Sequence, residues 1–308
     1  MKELHKNMQI HDEEEFDLDL KEILSVFWKS RVIIISVTSL FAVGAVIYAL
    51  AQPNTYTSES IVVAVNDQGG GRVSPGVNAL VKMTTGSGLG GGGGGMVAGD
   101  KAVTTIESRE FFKHLLDNHE FVEKHFIAFK KFNHSSQLSI FDQSIYDDET
   151  KAWLDTKPSY LELYNDYGDM VSAEYYFSNG IIELSVEHES PIFAYDFLTL
   201  IIQEVNNLRR EKDLSQSSKA LEYLYQESTR NNLSVIQQSI SQMITSQLST
   251  QMLAKIKPDY MIQAFDKPFI PIEKSGPQRL FITIMGTIVG IVLSLSFVII
   301  NYFFKENE

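Results

Sequence analysis

The residues of this chain whose types and spacing could do chemistry are few and scattered. Gly86-Ser-Gly88-Leu-Gly-Gly91 has the GxGxxG spacing of a dinucleotide-binding turn, and Gly94–Lys101 reads Gly-x-x-x-x-Gly-Asp-Lys, close to a phosphate loop. Such turns work because backbone N–H groups converge on phosphate. The first needs a strand directly before it, and the second needs Lys and Ser/Thr directly after its last glycine. Neither condition is met. The six consecutive glycines Gly90–Gly95 are expected to form a mobile loop or a contact between subunits. Of seven histidines, His5 and His11 precede the first apolar run, His114 and His119 are five apart and so off one helix face, and His188 ends a strand-like run. Asp142, Asp147, Asp148 and Glu149 cluster without a glycine turn to fix ligand geometry, which reads as a solvated acidic loop rather than a cation site. There is no H-E-x-x-H, G-x-S-x-G or EF-hand loop. The absence of cysteine removes thiolate zinc, a cysteine nucleophile and disulfides. The expectation is no catalytic residue, no cofactor and no metal, which turns the question toward assembly.

The elements around these residues are more informative. Among 308 residues, 39 Asp and Glu outweigh 26 Lys and Arg for a net charge of −13, which argues against a nucleic-acid binder. Two apolar runs lie at opposite ends. Val32–Leu50 is 19 residues without a charge, and as a helix about 28 Å long it matches the hydrocarbon thickness of a bilayer. Leu280–Phe304 is 25 uncharged residues, enough to span with some tilt. Lys21, Lys29 and Arg31 precede the first run and no cation follows it until Arg72, which predicts a cytoplasmic N-terminus. Ala49-Leu50-Ala51 resembles a signal-peptide cleavage site. The long, net acidic segment before the run argues instead for a retained anchor. The expected layout is a cytoplasmic segment 1–31, a span 32–50, an outer α/β base domain 51–190, a long helical region 191–257, a proline-rich return 258–279, a second span 280–304 and a cytoplasmic tail 305–308. In the second span Gly286 and Gly290, four apart, leave a flat groove for a neighbouring helix, with Ser294 in register.

Between the spans the pattern alternates. Phe16, Leu20, Ile23, Leu24 and Phe27 suggest an amphipathic lead into the membrane. Tyr56–Val65 reads as a strand, Thr104–His125 as one helix and Ser139–Trp153 as an acidic loop. Val171–Ser178 and Ile181–His188 flank Asn179-Gly180, a strong hairpin signal. Ser190 and Pro191 open a helix as cap and first residue. From Ile192 to Lys257 no Gly or Pro occurs over 66 residues. One helix of that length would be about 99 Å long. The 22 residues Pro258–Arg279 extend only about 73 Å, so a helix rising from the membrane could not be brought back. A turn near 229–234 resolves this and predicts a helical hairpin. Its charge run Arg209–Asp213 reads as a solvated face. Pro268, Pro271 and Pro277 predict a stiff extended strap before the second span.

With these elements in place, the chain resembles the Wzz-type polysaccharide co-polymerases, the chain-length determinant proteins of Gram-negative inner membranes. The resemblance rests on the acidic amphipathic lead, on Ser108–Phe112, Tyr146–Thr150 and Ser185–Pro191, on Lys257–Tyr260 with Asp266–Pro268, Pro271 and Glu273–Pro277, and on the glycine pair of the second span. It implies an α/β (α+β) periplasmic base domain with a long projecting helical hairpin, anchored by two transmembrane helices, and a ring- or bell-shaped homo-oligomer. The function implied is non-enzymatic: setting the chain length of O-antigen or a related surface polysaccharide with a Wzy-type polymerase, the growing lipid-linked glycan being a further contact. A co-polymerase or export role for capsule or exopolysaccharide is the alternative. A co-polymerase kinase is excluded by the missing phosphate loop, and a two-span sensor would need a signalling domain that residues 305–308 do not supply.

Overall fold

A computed structural model describes residues 27–65, 98–230 and 234–306. The amphipathic lead, apart from Phe27, and the Gly90–Gly95 run lie outside the described residues. The chain divides into two compact units, one holding both apolar helices and the other comprising Asn54–Ser275. The first apolar run is α1, Arg31–Ala51. Both apolar helices are long and apolar enough to cross a membrane.

In the Asn54–Ser275 unit the expected first strand forms as β1, Tyr56–Ala64. The apolar stretch read as one helix is three: α2 (Ala98–Ile106), α3 (Arg109–Asn118) and α4 (Glu120–Ala128). Ser108 causes the first break. Its hydroxyl oxygen accepts from the N–H of Phe111, starting a new helix where the old one would have continued. His119, extended at φ −132°, makes the second. The segment read as a loop, Ser139–Trp153, carries most of β3 (Leu138–Phe141), which pairs with β2 (Phe129–Asn133) just before it, and the pair β4 (Tyr146–Asp147) and β5 (Ala152–Trp153). Each is five residues or fewer, too short to establish a period of two. An unexpected helix, α5 (Tyr160–Met170), is capped by Ser159.

The predicted hairpin is β6 (Val171–Tyr176) and β7 (Ile181–His188). Tyr176 pairs with Ile181, so the loop is four residues rather than two. Gly180 closes it at φ +73°, where a side chain would be strained. The main sheet is antiparallel in the order β6-β7-β1-β8, the last strand being Ile262–Ala264. Val62, Ile182, Leu184 and Val186 alternate onto one buried face. Helices cover it.

Ser190 and Pro191 start the long helix as expected. The Ser190 hydroxyl accepts from Phe193 N–H at 3.2 Å, and α6 runs Pro191–Arg230. Phe193, Phe197, Ile201 and Val205 are buried in the core with Val62, Ile106, Phe111, Phe112 and Leu115. Phe112 stacks on Tyr167 at 4.6 Å, and the Tyr167 hydroxyl donates to Ile106 O at 2.7 Å. Each such aromatic contributes about 1.5–3 kcal/mol by leaving water. The chain then folds back into α7, Ser234–Ile256. Gln237 Nε2 donates to Ser228 O and Gln251 Nε2 to the Ser218 hydroxyl, so higher residue numbers on α7 meet lower ones on α6. That register is an antiparallel helical hairpin.

Candidate functional site

Two places stand out, the junction where the helical hairpin meets the sheet and the pair of apolar helices. At the junction, Asn206 sits mid-helix on α6, buried, as the polar member of an otherwise apolar stripe. Its Oδ1 accepts from the N–H groups of Tyr260, Met261 and Ile262 at 3.0, 2.6 and 3.0 Å. Its Nδ2 donates to Ile202 O and Ile262 O. One carboxamide thus satisfies the start of β8, where the turn after α7 has no ladder of its own.

The charge run read as a solvated face completes this clasp. Arg210 donates to Lys257 O at 3.2 Å and Pro258 O at 2.6 Å, capping the end of α7. Asp213, only 9% exposed, accepts from Tyr260 Oη at 2.9 Å and Arg209 Nε at 3.1 Å. Glu211 and Lys212 alone of the run face solvent. Sequence reasoning missed Asn206; an Asn interrupting the Phe197, Ile201, Val205, Leu208 stripe was the available signal.

The histidines group differently from their spacing. The break at His119 turns it back, so that His114 Nε2 and His119 Nε2 both approach Glu204 on α6, at 2.8 and 3.8 Å. Asn118 Nδ2 donates to His114 Nδ1, which leaves Nε2–H to donate to the carboxylate. Burial alone pushes Glu204 up. Hydrogen bonds from His114 and Asn207, with the nearby imidazoles, outweigh it and hold the carboxyl below its ordinary value.

His125 and His188 lie with Phe193, the ring of His125 stacking on Phe193 at 4.0 Å. Burial holds His125 down at about 4 and His188 at about 3. His188 Nδ1 also accepts from Ser190 N–H at 2.9 Å, a bond that only the neutral ring can keep.

The acidic cluster makes turns. Asp142 accepts from Ser144 N–H and hydroxyl, Asp147 from Glu149 N–H and the Thr150 hydroxyl, and Asp148 pairs with Lys124. Among the described residues no group of acids and histidines is arranged to hold a metal ion. Gly99, the last glycine of the incomplete phosphate loop, lies inside α2. A Cβ there would overlap the Tyr175 ring, so its smallness serves packing.

The second apolar helix is α8, Arg279–Glu306. A Cβ on Gly286 would run into Ala45 Cβ, and one on Gly290 would lie 2.7 Å from Phe41 Cβ. The missing side chains let α8 lie close against α1. Ser294, one turn further, is fully buried and donates to Ile291 O. Arg279 donates to Gln52 O at 3.5 Å where the two helices end.

The proline segment is extended and tied along β1. Ser60 donates to Asp266 O at 2.6 Å, Ser58 to Phe269 O at 2.8 Å, and Ser275 N–H to Thr55 O at 2.9 Å. Pro271 is buried, Pro268 half-buried, and Pro277 follows a cis peptide bond.

Against known proteins, the family model described as Wzz, chain length determinant protein, matches residues 16–126, and the resemblance read from the sequence stands on that match. No curated protein matches the chain. Two of the solved structures similar to it are a full-length bacterial polysaccharide co-polymerase (12% identity over 94% of this chain and 99% of that one, TM-score 0.38) and a fragment of WzzB, a polysaccharide co-polymerase from Salmonella Typhimurium (10% identity over 72% and 100%, TM-score 0.25).

Proposed function

We propose that this chain is a non-catalytic regulator of the chain length of a surface polysaccharide, O-antigen or a related glycan. It works as a ring-like homo-oligomer beside a Wzy-type polymerase in the bacterial inner membrane, where it contacts the growing lipid-linked glycan. The observation that carries the reading is the match of residues 16–126 to the chain length determinant family. Two apolar helices at either end of the described chain support it. On this reading 1–31 and 305–308 are cytoplasmic, 32–50 and 280–304 span, 51–190 form the periplasmic base, 191–257 the helical region and 258–279 the proline-rich return.

Deleting the gene and resolving the cell's lipopolysaccharide by electrophoresis tests the reading. A shift from clustered to random glycan lengths is expected. Unchanged lengths would sink it, and loss of all surface polymer would favour the export role.

Gly286 and Gly290 are assigned the packing of the spans, and Pro268, Pro271 and Pro277 the stiffness of the return. Replacing both glycines with Leu forces side chains against Ala45 and Phe41. The modal glycan length should shift; unchanged lengths would remove the glycines from the mechanism.

A further inference from the structure

The strap between β8 and α8 carries large apolar side chains that its own unit does not cover. Phe269 and Ile270 are half exposed, and Ile272 is 94% exposed. This exposure is built in. Ser58 and Ser60 on β1 hold the strap by its backbone, and Pro271 is the residue turned inward. Neighbouring side chains of an extended chain point to opposite sides, so fixing Pro271 inward turns Ile270 and Ile272 out.

Three features identify what covers them. Ser275 is bonded to Thr55, and each is four residues of chain from an apolar helix: Ser275 from Arg279, Thr55 from Ala51. Four residues extend about 14 Å at most. The surrounding charge is also locally reversed. Residues 265–279 carry Lys267, Lys274 and Arg279 against Asp266 and Glu273, in a chain whose net charge is −13. Apolar side chains beside cations, tethered this closely to membrane-spanning helices, have the composition of an interfacial anchor for a surface with anionic headgroups. Finally, serine hydroxyls of β1 hold Asp266 O and Phe269 O, which keeps the strap against its own unit with Ile270 and Ile272 turned away from it.

We infer that Ile270 and Ile272 insert into the bilayer interface, with Lys267 and Lys274 on the headgroups, so that the strap is a lipid-bound foot of the Asn54–Ser275 unit. This rests on the two apolar helices spanning the membrane, and the experiment separates the two ideas. The chain has no cysteine, so one introduced thiol gives one labelled site. Full-length I272C, I270C, V43C and K130C are spin-labelled and reconstituted in vesicles of phosphatidylethanolamine and phosphatidylglycerol. Collision rates with oxygen and with a water-soluble nickel chelate are then measured. Val43 is exposed on α1, and Lys130 is exposed on β2. Positions 272 and 270 should match 43, with oxygen access several-fold above nickel access, while 130 shows the reverse. Water-like collisions at 272 and 270, with 43 lipid-like, overturn the inference and leave the spans intact. Shielding of 272 and 270 from both reagents means that a second copy covers the strap, which also overturns it. A water-like 43 removes the spanning reading, and the inference with it.

Discussion

The two parts of α6 share an unbroken helical backbone and differ in surroundings. Neither half contains Gly or Pro after Pro191. Pro191–Val205 lies on the sheet, with Phe193, Phe197, Ile201 and Val205 fully or almost fully buried. Beyond Asn206 the buried apolar residues of α6 thin to Leu221 and Leu224, and those of α7 are Ile240 and Ala254. Polar bonds, Gln251 to Ser218 and Gln237 to Ser228, hold the rest. Tyr223, Tyr225, Val235, Met252 and Ile256 face outward. Helical propensity is therefore not what distinguishes the halves. A two-helix pair has one contact face per helix, and a sheet-backed helix among five others has several. The first half stabilises the unit, and the second presents apolar surface that a proposed ring of copies would use.

The sharpest test compares the buried side chains of the two halves. Phe197 stacks on Phe193 at 5.3 Å in the closed core. Phe197→Ala should lower the unfolding free energy by about 3–5 kcal/mol. Leu224→Ala, where the packing is thin, should fall at or below the low end of the range for such deletions, about 2 kcal/mol. Chemical denaturation of the full chain in detergent measures both. Equal losses would erase the distinction between the halves.

Asn206 marks the boundary, and Asn206→Leu should cost at least about 2 kcal/mol, since three backbone N–H groups lose their acceptor. Hydrogen exchange should accelerate at Tyr260–Ile262 and the end of α7 while Phe193–Val205 stays protected. Acceleration starting in the sheet would place the boundary elsewhere.

Acid should act on the sheet-backed side. His125 and His188 are held at about 4 and about 3, against an ordinary value of about 6.5. Between those values the unfolded chain binds more protons than the folded one, so the stability these rings contribute is complete only about one pH unit above 6.5 and falls as pH drops toward 4. The loss between pH 7 and 6 should be about 1.4 kcal/mol for the two together. Exchange should quicken around α4, β7 and the start of α6. The outer hairpin has no buried histidine among its described residues, and a steeper pH response there would contradict the comparison.

The sequence shows this asymmetry only in part. The spans, the β6–β7 hairpin and the Ser190-Pro191 start are legible because each is decided by neighbours in sequence: an uncharged run, an Asn-Gly, a cap followed by a first-turn proline. The fold-back of the long helix is legible from chain length. The division of Thr104–His125 is not, because Ser108 interrupts an apolar period that continues across it. The convergence of His114 and His119 on Glu204 depends on that division. The roles of Arg210 and Asp213 depend on partners some 47 residues away, Lys257 and Tyr260, which no local pattern announces. Local rules read where elements begin. They do not read which polar side chain of a long helix will find a turn to satisfy.

The smallest expected effect bears most directly on assembly. Met252 is 60% exposed on α7, so Met252→Ser removes little that folding buried. Unfolding free energy should change by no more than about 0.5 kcal/mol, the usual range for an exposed position. If the outer half exists to meet other copies, the same substitution should weaken self-association, because a side chain trimmed at one interface of a closed ring is trimmed at every interface around it. Light scattering of the full chain in detergent, beside its denaturation curve, reads the two quantities separately. A variant that melts like the parent but assembles less assigns the exposed apolar residues of α7 to the interface. One that melts early would show that the hairpin already buries Met252 against itself, and the outer half would then be a stabilising element like the inner.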